Sequence, residues 1–383
     1  MFDLTFSCLA AYDMTAAAIL IYWAAIWILH AIAICYGKWK LHKKVNKLPP
    51  EQPYPGVSIL KPLMGVDPNL LGNLETFFTM NYPKYELLIC IEDESDPAIM
   101  LANKLMNDYP NVDASLFIGG EEVGVNPKIN NMQPGYAAAK YELIMISDSG
   151  IKMKEDTLLD MVSYMTEDVG LVHQMPFTCD RDGFAATLEK VYFGTAQARI
   201  YLAAEFFSVI CHTGMSAMYR KSLIDEVGGL RAFGCYLAED YFFAKSLRDR
   251  GWGMCISSQP AMQNCGVTEV TSFQKRLCRW AKLRVAMVPF TILMEPLSEC
   301  MVLGACAAWA VAHLFNWDSL GFYMNGSVPF NKFEFVIGWL FREYSGPYLF
   351  LQALWDPTIH WRSRSFKLRW GGVAEEVKPK VKV

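Results

Sequence analysis

Between residues 14 and 36 the chain carries no charge, and Thr15 and His30 are the polar interruptions. At about 1.5 Å of rise per residue, a helix over this stretch is long enough to cross a hydrocarbon core about 30 Å thick. Residues 14–36 are therefore expected as a transmembrane helix, and the rest of the fold must be arranged around it. Asp3 and Asp13 precede it, whereas Lys38, Lys40, Lys43, Lys44 and Lys47 follow it. The positive-inside rule sets residues 1–13 in the lumen and the body of the chain in the cytosol. A cleaved signal peptide would carry its charge ahead of a shorter apolar run. Residues 37–55, basic and then rich in proline, read as a linker.

The remaining length, out of 383 residues, is enough for one large α/β domain and something more. Hydrophobic residues make up 53% and aromatics 14%, a share that implies further contact with lipid. A net charge of −4 gives no general reason to expect nucleic acid as a partner. The 11 cysteines include no C-x-x-C pair and the six histidines no H-x-x-x-H spacing. This speaks against a disulfide framework and a structural zinc site, so any metal must bind through oxygen. There is no P-loop, G-x-G-x-x-G or G-x-S-x-G motif.

From residue 56 onward, strand and helix signals alternate. Short apolar strands are expected over 57–60, 85–91, 112–118 and 142–147, with helices over 68–80 and 97–109 between the first three. Strands separated in this way form a parallel sheet through right-handed crossovers. Two of them end in carboxylates, Glu92 and Asp93 after the second and Asp148 in ELIMISDSG after the fourth. Ligands of open α/β sheets sit outside the carboxyl ends of the strands, where a carboxylate followed by Ser149 and Gly150 can meet a cation or phosphate. The plain alternative for Asp148 is a cap on the next helix. Residues 124–131 read as a polar loop whose Lys128 can reach phosphate oxygens and whose Asn130 or Asn131 can read a base or sugar.

Residues 184–210 are long, aromatic and mostly apolar, yet a crossing here would put residues 220–250 across the membrane from Asp148. They are expected as helix packed on the sheet. Residues 236–250 form an amphipathic helix opened by Glu239 and Asp240, where the helix dipole alone favours acids. In 272–280, Lys275, Arg276 and Arg279 alternate with Leu277 and Trp280, as suits an interfacial or phosphate-binding helix. Residues 300–315 and 333–354 are apolar, although Glu295, Glu299, Arg342 and Glu343 make each a poor span. The catalytic part is thus expected over 56–280, interfacial and transmembrane helices over 281–356, and a polar tail over 357–383.

Acidic residues in a parallel-sheet crevice, a lysine-bearing stretch and a basic-aromatic helix together suggest a nucleotide-sugar site. Oxygen ligands imply Mg2+ or Mn2+, held by Asp148 and substrate phosphates. A separate carboxylate must take the proton of the attacking hydroxyl, and Asp240 is assigned that task.

Five segments, ICIEDESDPAI, GVNPKINNM, ISDSGI, AEDYF and RLCRW, stand in this order, and WDPTIHWRSRSFKLRWGGVAEE closes the pattern. Taken together they resemble the ceramide glucosyltransferase family over nearly the whole chain. The resemblance implies an A-type glycosyltransferase fold, Rossmann-like with a mostly parallel sheet, with an N-terminal transmembrane helix and C-terminal membrane-associated helices. It implies inverting transfer of glucose from UDP-glucose to ceramide in the Golgi membrane, by a multi-pass protein whose catalytic domain faces the cytosol. By the same resemblance Asp93 contacts the nucleotide, Asp148 the metal and diphosphate, and Asp240 is the base. Arg276, Arg279 and Trp280 would hold donor and acceptor ends together. The chain departs from its relatives in reading D-S-G where many carry D-x-D, in having Gln197 and Ala198 where animal members carry His-Pro, and in lacking a hydrophobic stretch between Phe322 and Phe333.

Two other readings fit the general layout. A polysaccharide synthase or dolichyl-phosphate sugar transferase would share the domain, but a processive synthase needs several clean spans for its channel. A non-enzymatic membrane-anchored binding protein would keep the fold but has no use for Asp240 beside a phosphate site.

Overall fold

The computed structural model describes residues 2–41, 43, 53–179, 181–266, 269–292, 300–315, 332–361 and 364–377. Lys44, Lys47, Glu295, Glu299, the stretch around Asn325 and residues 378–383 lie outside the described residues. Helix α1 (Phe2–Lys40) is longer than the apolar run that predicts it. No proline or glycine interrupts it before Gly37, so residues 2–13, expected as a separate luminal segment, continue the helix. Ile21, Ile28, Ile34 and Trp39 stand exposed along it, as suits a helix surrounded by lipid. Its segment Ala10–Lys40 is long and apolar enough to cross a membrane.

The alternating pattern then becomes β1 (Val57–Leu63), α2 (Leu70–Phe78), β2 (Tyr85–Ile91), α3 (Ala98–Asp108), β3 (Ala114–Ile118), α4 (Pro127–Ala138) and β4 (Leu143–Ser147). Strand side chains alternate between the two faces of the sheet. Ile59, Leu87, Ile89 and Met145 pack with Leu74 and Phe77 of α2 and Ala102 of α3. Leu60, Leu88, Ile144 and Ile146 pack on the other side with Ile129 and Met132 of α4. Residues 124–131, expected as a loop, instead turn into α4. The Asn126 side chain accepts from the amides of Lys128 (2.8 Å) and Ile129 (3.3 Å), and Pro127 occupies the first helical turn, where its missing N–H costs nothing.

Next come β5 (Ile151–Lys152), α5 (Thr157–Ser163), β6 (Val169–His173), β7 (Pro176–Thr178) and α6 (Phe184–Tyr192). A π-helical turn (Phe193–Gln197) leads into α7 (Ala198–Phe206). After them lie β8 (Ser216–Arg220), α8 (Lys221–Asp225), α9 (Glu239–Asp249), β9 (Gly253–Ile256), β10 (Ala261–Gln263) and α10 (Val270–Met287). The main sheet has the order β3-β2-β1-β4-β8-β6-β9. It is parallel apart from β8, which runs against both β4 and β6. The chain leaves β1 towards β2 on one side and returns as β4 on the other, so the switch point lies between β1 and β4, with Asp148 at its edge. The aromatic stretch 184–210 is divided into α6, the π-helical turn and α7, and α7 lies along α1, where Tyr201, Leu202 and Ala203 pack with Ala33.

The helix Lys332–Trp355 packs against α6 and α10, with Arg342 and Glu343 buried. Arg342 donates to Thr195 Oγ1 in the π-helical turn (3.2 Å), so the charge that spoils this segment as a membrane span is directed into protein. The expected polar tail is folded over Thr358–Trp361 and from Arg364 to Glu376. Strands β11 (Thr358–Trp361), β12 (Arg364–Leu368) and β13 (Ala374–Glu376) form an antiparallel sheet. Its alternate side chains Ile359, Phe366 and Leu368 are buried with Ala286 of α10 and with Leu237, just before α9. Composition hid this, because the intervening residues are charged. Phe366→Ala should cost about 3 to 5 kcal/mol of stability, read as a lowered thermal unfolding midpoint in detergent.

Candidate active site

Asp148 follows the last residue of β4 and its backbone is clamped. Its N–H donates to Met215 O (2.9 Å), and its carbonyl accepts from Lys61 Nζ (2.7 Å). Lys61 is fully buried, 3.6 Å from the centre of the Phe77 ring, and burial holds its pKa well below the usual lysine value. Gly150 supplies the close approach at the following turn, since a Cβ there would lie 2.8 Å from Cys265 Sγ.

The α4 N-terminus brings Lys128 against this strand end. Its ammonium lies 2.9 Å from Asp148 Oδ1 and 3.1 Å from Glu239 Oε1, and donates to Gly214 O at 3.2 Å. Burial opposes the charge, but Asp148 and Glu239 outweigh it and raise the Lys128 pKa. Glu239 is buried at the start of α9, and its other oxygen accepts from Asn126 Nδ2 (2.9 Å). The residue that caps α4 therefore also orients the lysine's partner.

Asp240 follows in the first turn of α9. Oδ2 accepts from the Gly214 amide (2.7 Å) and Oδ1 from its neighbour Tyr241 N (2.8 Å). Burial and the adjacent Glu239 carboxylate push its pKa up to about 6, against the opposing pull of Lys128 and the two amides. A carboxylate near neutral pKa is matched to proton transfer at physiological pH. A Cβ on Gly214 would lie 3.0 Å from Asp240 Cβ and Oδ2, so the residue is fixed by space as well as by hydrogen bonding.

A second group of the expected residues meets on α10. Arg276 donates to Glu189 Oε1 (2.6 Å), and Arg181 pairs with the other oxygen of the same buried carboxylate. Trp280 stacks on Tyr192, with ring centroids 6.4 Å apart, while Arg276 lies over the Trp280 ring and Arg279 over Trp361. A cavity of about 330 Å3 opens here, lined by Glu189, Cys265, Glu269, Lys275, Arg276 and Arg279 among others. Cys265 belongs both to this cavity and to the packing against Gly150, and Asn264 N donates to Gly150 O (2.7 Å). The arginine cavity thus abuts the turn that follows Asp148.

Asp93 stands apart from both groups. It is exposed just beyond β2, on the carboxyl edge that also carries Asp148, and Oδ1 accepts from Ser95 N (2.8 Å) and Oγ (2.7 Å). Those two bonds hold its carboxyl below the usual range. Asn130, offered by the sequence as a reader of base or sugar, is engaged with the preceding loop: its side chain accepts from Val123 N and Gly124 N and donates to Gly124 O. Asn131 donates to Leu63 O at the end of β1 (3.2 Å), and its buried Oδ1 has no partner among the described residues. Sequence reasoning noted Glu239 only as a helix-opening acid and missed Gly214 and Glu189. The E-D pair at a helix start was the available signal for the first; no local signal marks the other two.

The sequence pattern of glycosyl transferase family 21 matches residues 25–374. Ceramide glucosyltransferase 3 of Caenorhabditis elegans is 46% identical over 91% of this chain and 79% of its own length. Ceramide glucosyltransferase 1 of the same organism is 44% identical, over 95% and 82% respectively. The chain belongs to the ceramide glucosyltransferase family. The resemblance drawn from its ordered motifs therefore holds over most of its length. Among solved structures, the mannosyltransferase PcManGT of Pyrobaculum calidifontis, in complex with GDP-Man and Mn2+, matches with a TM-score of 0.55 at 17% identity. It covers 90% of this chain and 99% of its own, and shows the A-type glycosyltransferase fold expected for this ceramide glucosyltransferase family member.

The raised pKa of Asp240 has a testable consequence. Its folded value lies above the ordinary aspartate value, so its ionised form costs stability at neutral pH, and that stability returns as pH falls through about 6. Activity that needs the ionised carboxylate should move oppositely, with the acid limb of the kcat/KM profile near pH 6. Glu239→Gln removes the neighbouring charge and should shift that limb to lower pH in a pH–rate titration. In the same assay at fixed pH, Gly214→Ala should lower kcat by about tenfold or more through displacement of Asp240.

Proposed function

We propose that the chain transfers glucose from UDP-glucose to the primary hydroxyl of ceramide with inversion, giving β-glucosylceramide and UDP. The observation that carries this reading is a buried carboxylate of raised pKa, Asp240, set beside the Lys128 ion cluster at the switch point of the sheet. Direct displacement at the anomeric carbon needs one base on the acceptor side and positive charge at the leaving diphosphate. Asp240 takes the proton of the acceptor hydroxyl as its oxygen bonds to the anomeric carbon, and the bond to the diphosphate breaks on the opposite face. Lys128 and the arginines of α10 supply the positive charge. Asp93 and Asn131 are assigned to the nucleotide end of the donor, and Trp280 with Arg276 and Arg279 to the meeting of donor and acceptor.

Asp148 fits a divalent ion held mainly by the substrate. Its side chain is 42% exposed, and one oxygen is engaged by Lys128. Among the described residues no group of three His, Cys, Asp or Glu side chains forms a ready-made metal site. Mg2+ or Mn2+ held by Asp148 and phosphate oxygens would neutralise the diphosphate. The reading sets the protein in the Golgi membrane as a multi-pass protein with its catalytic domain facing the cytosol. The cluster of Lys38, Lys40 and Lys43 at one end of α1 supports that orientation.

Membranes containing the protein should form monoglucosylceramide from UDP-glucose. Asp240→Asn should retain UDP-glucose binding while turnover falls by about 10² to 10⁴. Undiminished turnover in that variant would remove the base, and a product carrying more than one sugar would favour a processive enzyme.

A further inference from the structure

The end of α7 presents an apolar tip that the donor site does not use. Phe206 and Phe207 are each 51% exposed and Val209 59%. The tip is a tight reversal: Ser208 N donates to Glu205 O (2.9 Å) and Val209 N to Ala204 O (2.8 Å), with Ser208 at φ 56°. A non-glycine residue in the left-handed region costs free energy, so the reversal is held by its surroundings. One such restraint is Arg248 of α9, whose Nη2 donates to Ser208 O (2.9 Å).

This tip lies against the lysine-bearing end of α1. The Tyr36 ring packs edge-on to Phe206, with centroids 5.8 Å apart, and a Cβ on Gly37 would meet Leu202 at 2.8 Å. Trp39 is exposed on the same turn of α1, and Lys38 and Lys43 flank it. Exposed aromatic rings beside basic residues at the end of an apolar helix mark the level of the membrane interface. The apolar tip therefore continues the lipid-facing surface of α1.

From Val209 the chain runs directly to Gly214, whose amide holds Asp240 and whose carbonyl accepts from Lys128. Five residues span at most about 18 Å. Between the two ends Cys211 and His212 lie within the domain, with His212 Nε2 2.7 Å from Tyr219 Oη and Tyr201 Oη donating to the His212 carbonyl (3.3 Å). The same short segment carries the exposed apolar tip at one end and the amide that holds Asp240 at the other.

We propose that the turn at residues 206–209 is seated in the bilayer interface and guides the lipid acceptor from the membrane to Asp240. Its occupant is the acyl region of the bilayer, and the acceptor class is an amphiphile whose hydroxyl leaves the interface while its chains remain there. The guiding role rests on the acylated acceptor of the proposed function; insertion of the tip does not.

The full-length protein in phosphatidylcholine nanodiscs tests both parts. Phe206→Ser with Phe207→Ser should raise the apparent KM for long-chain ceramide about tenfold, while the KM for UDP-glucose and kcat/KM for a water-soluble short-chain ceramide stay within about twofold. Benzoylphenylalanine in place of Phe207 should form a photo-adduct with radiolabelled phosphatidylcholine. An adduct to protein alone, or equal losses with both ceramides, would overturn the proposal. The photo-adduct does not depend on the double variant folding. Failure of the functional reading would look different: lipid adduct present, yet no glucosylated product from the unmodified chain with either ceramide.

Discussion

The Lys128 ammonium is the point on which the site depends. Removing a charge from water costs on the order of several kcal/mol unless opposite charges and hydrogen bonds replace the solvent. Here the replacements come from separate elements: Asp148 from the end of β4, Glu239 from the start of α9, and the Gly214 carbonyl from the segment leading into β8. Each of those elements is thereby located relative to the others. Asn126 strengthens the arrangement, because its carbonyl oxygen caps α4 while its amide donates to Glu239 and to Tyr236 O (2.7 Å). Burial and the adjacent Glu239 carboxylate push the Asp240 pKa up to about 6, and Lys128, already shared by two carboxylates, offsets this only in part. The raised pKa of Asp240 thus follows from its burial together with the charges that hold the site together.

A second constraint ties that site to the membrane. At the end of α1 the Lys40 ammonium is buried, 3.5 Å from Glu205 Oε1 of α7 and 3.1 Å from Cys255 Sγ of β9, and lies over the Tyr164 ring. A flexible tether would not bury its last lysine in the domain it carries. The catalytic sheet is therefore docked on the membrane helix, with α7 as the contact. The C-terminal sheet packs against elements of the site itself, since Trp361 meets Arg279 and Phe366 packs beside Leu237, three residues before Asp240.

The elements themselves were legible wherever hydrophobic period alone sets them. Strand β2 has the expected bounds, and β4 ends at Ser147 immediately before the partly exposed Asp148, whereas β1, expected over 57–60, runs on through the buried Lys61 to Leu63. The reading failed where a short polar sequence does something local and specific. Asn126 and Pro127 look like turn formers, yet together they start a helix. The tail reads as polar because its buried residues alternate with Lys367, Arg364 and the glutamates of β13. Asn130 and Asn131 are adjacent and chemically identical, and only packing assigns one to the loop and leaves the other at the end of β1.

By itself the sequence determined a membrane helix, an alternating α/β domain with carboxylates at its strand ends, and a family resemblance carried by ordered motifs. These are set by periodicity and by residue type within a short window, which the chain displays directly. Only the tertiary structure decided that Lys128 is enclosed by Asp148 and Glu239, that Gly214 fixes Asp240, and that Glu189 holds Arg276. Those outcomes depend on distances between residues far apart in the chain. Hydrogen bonds require approach to about 3 Å and Coulomb attraction strengthens as 1/r, so no local pattern can encode which charge meets which.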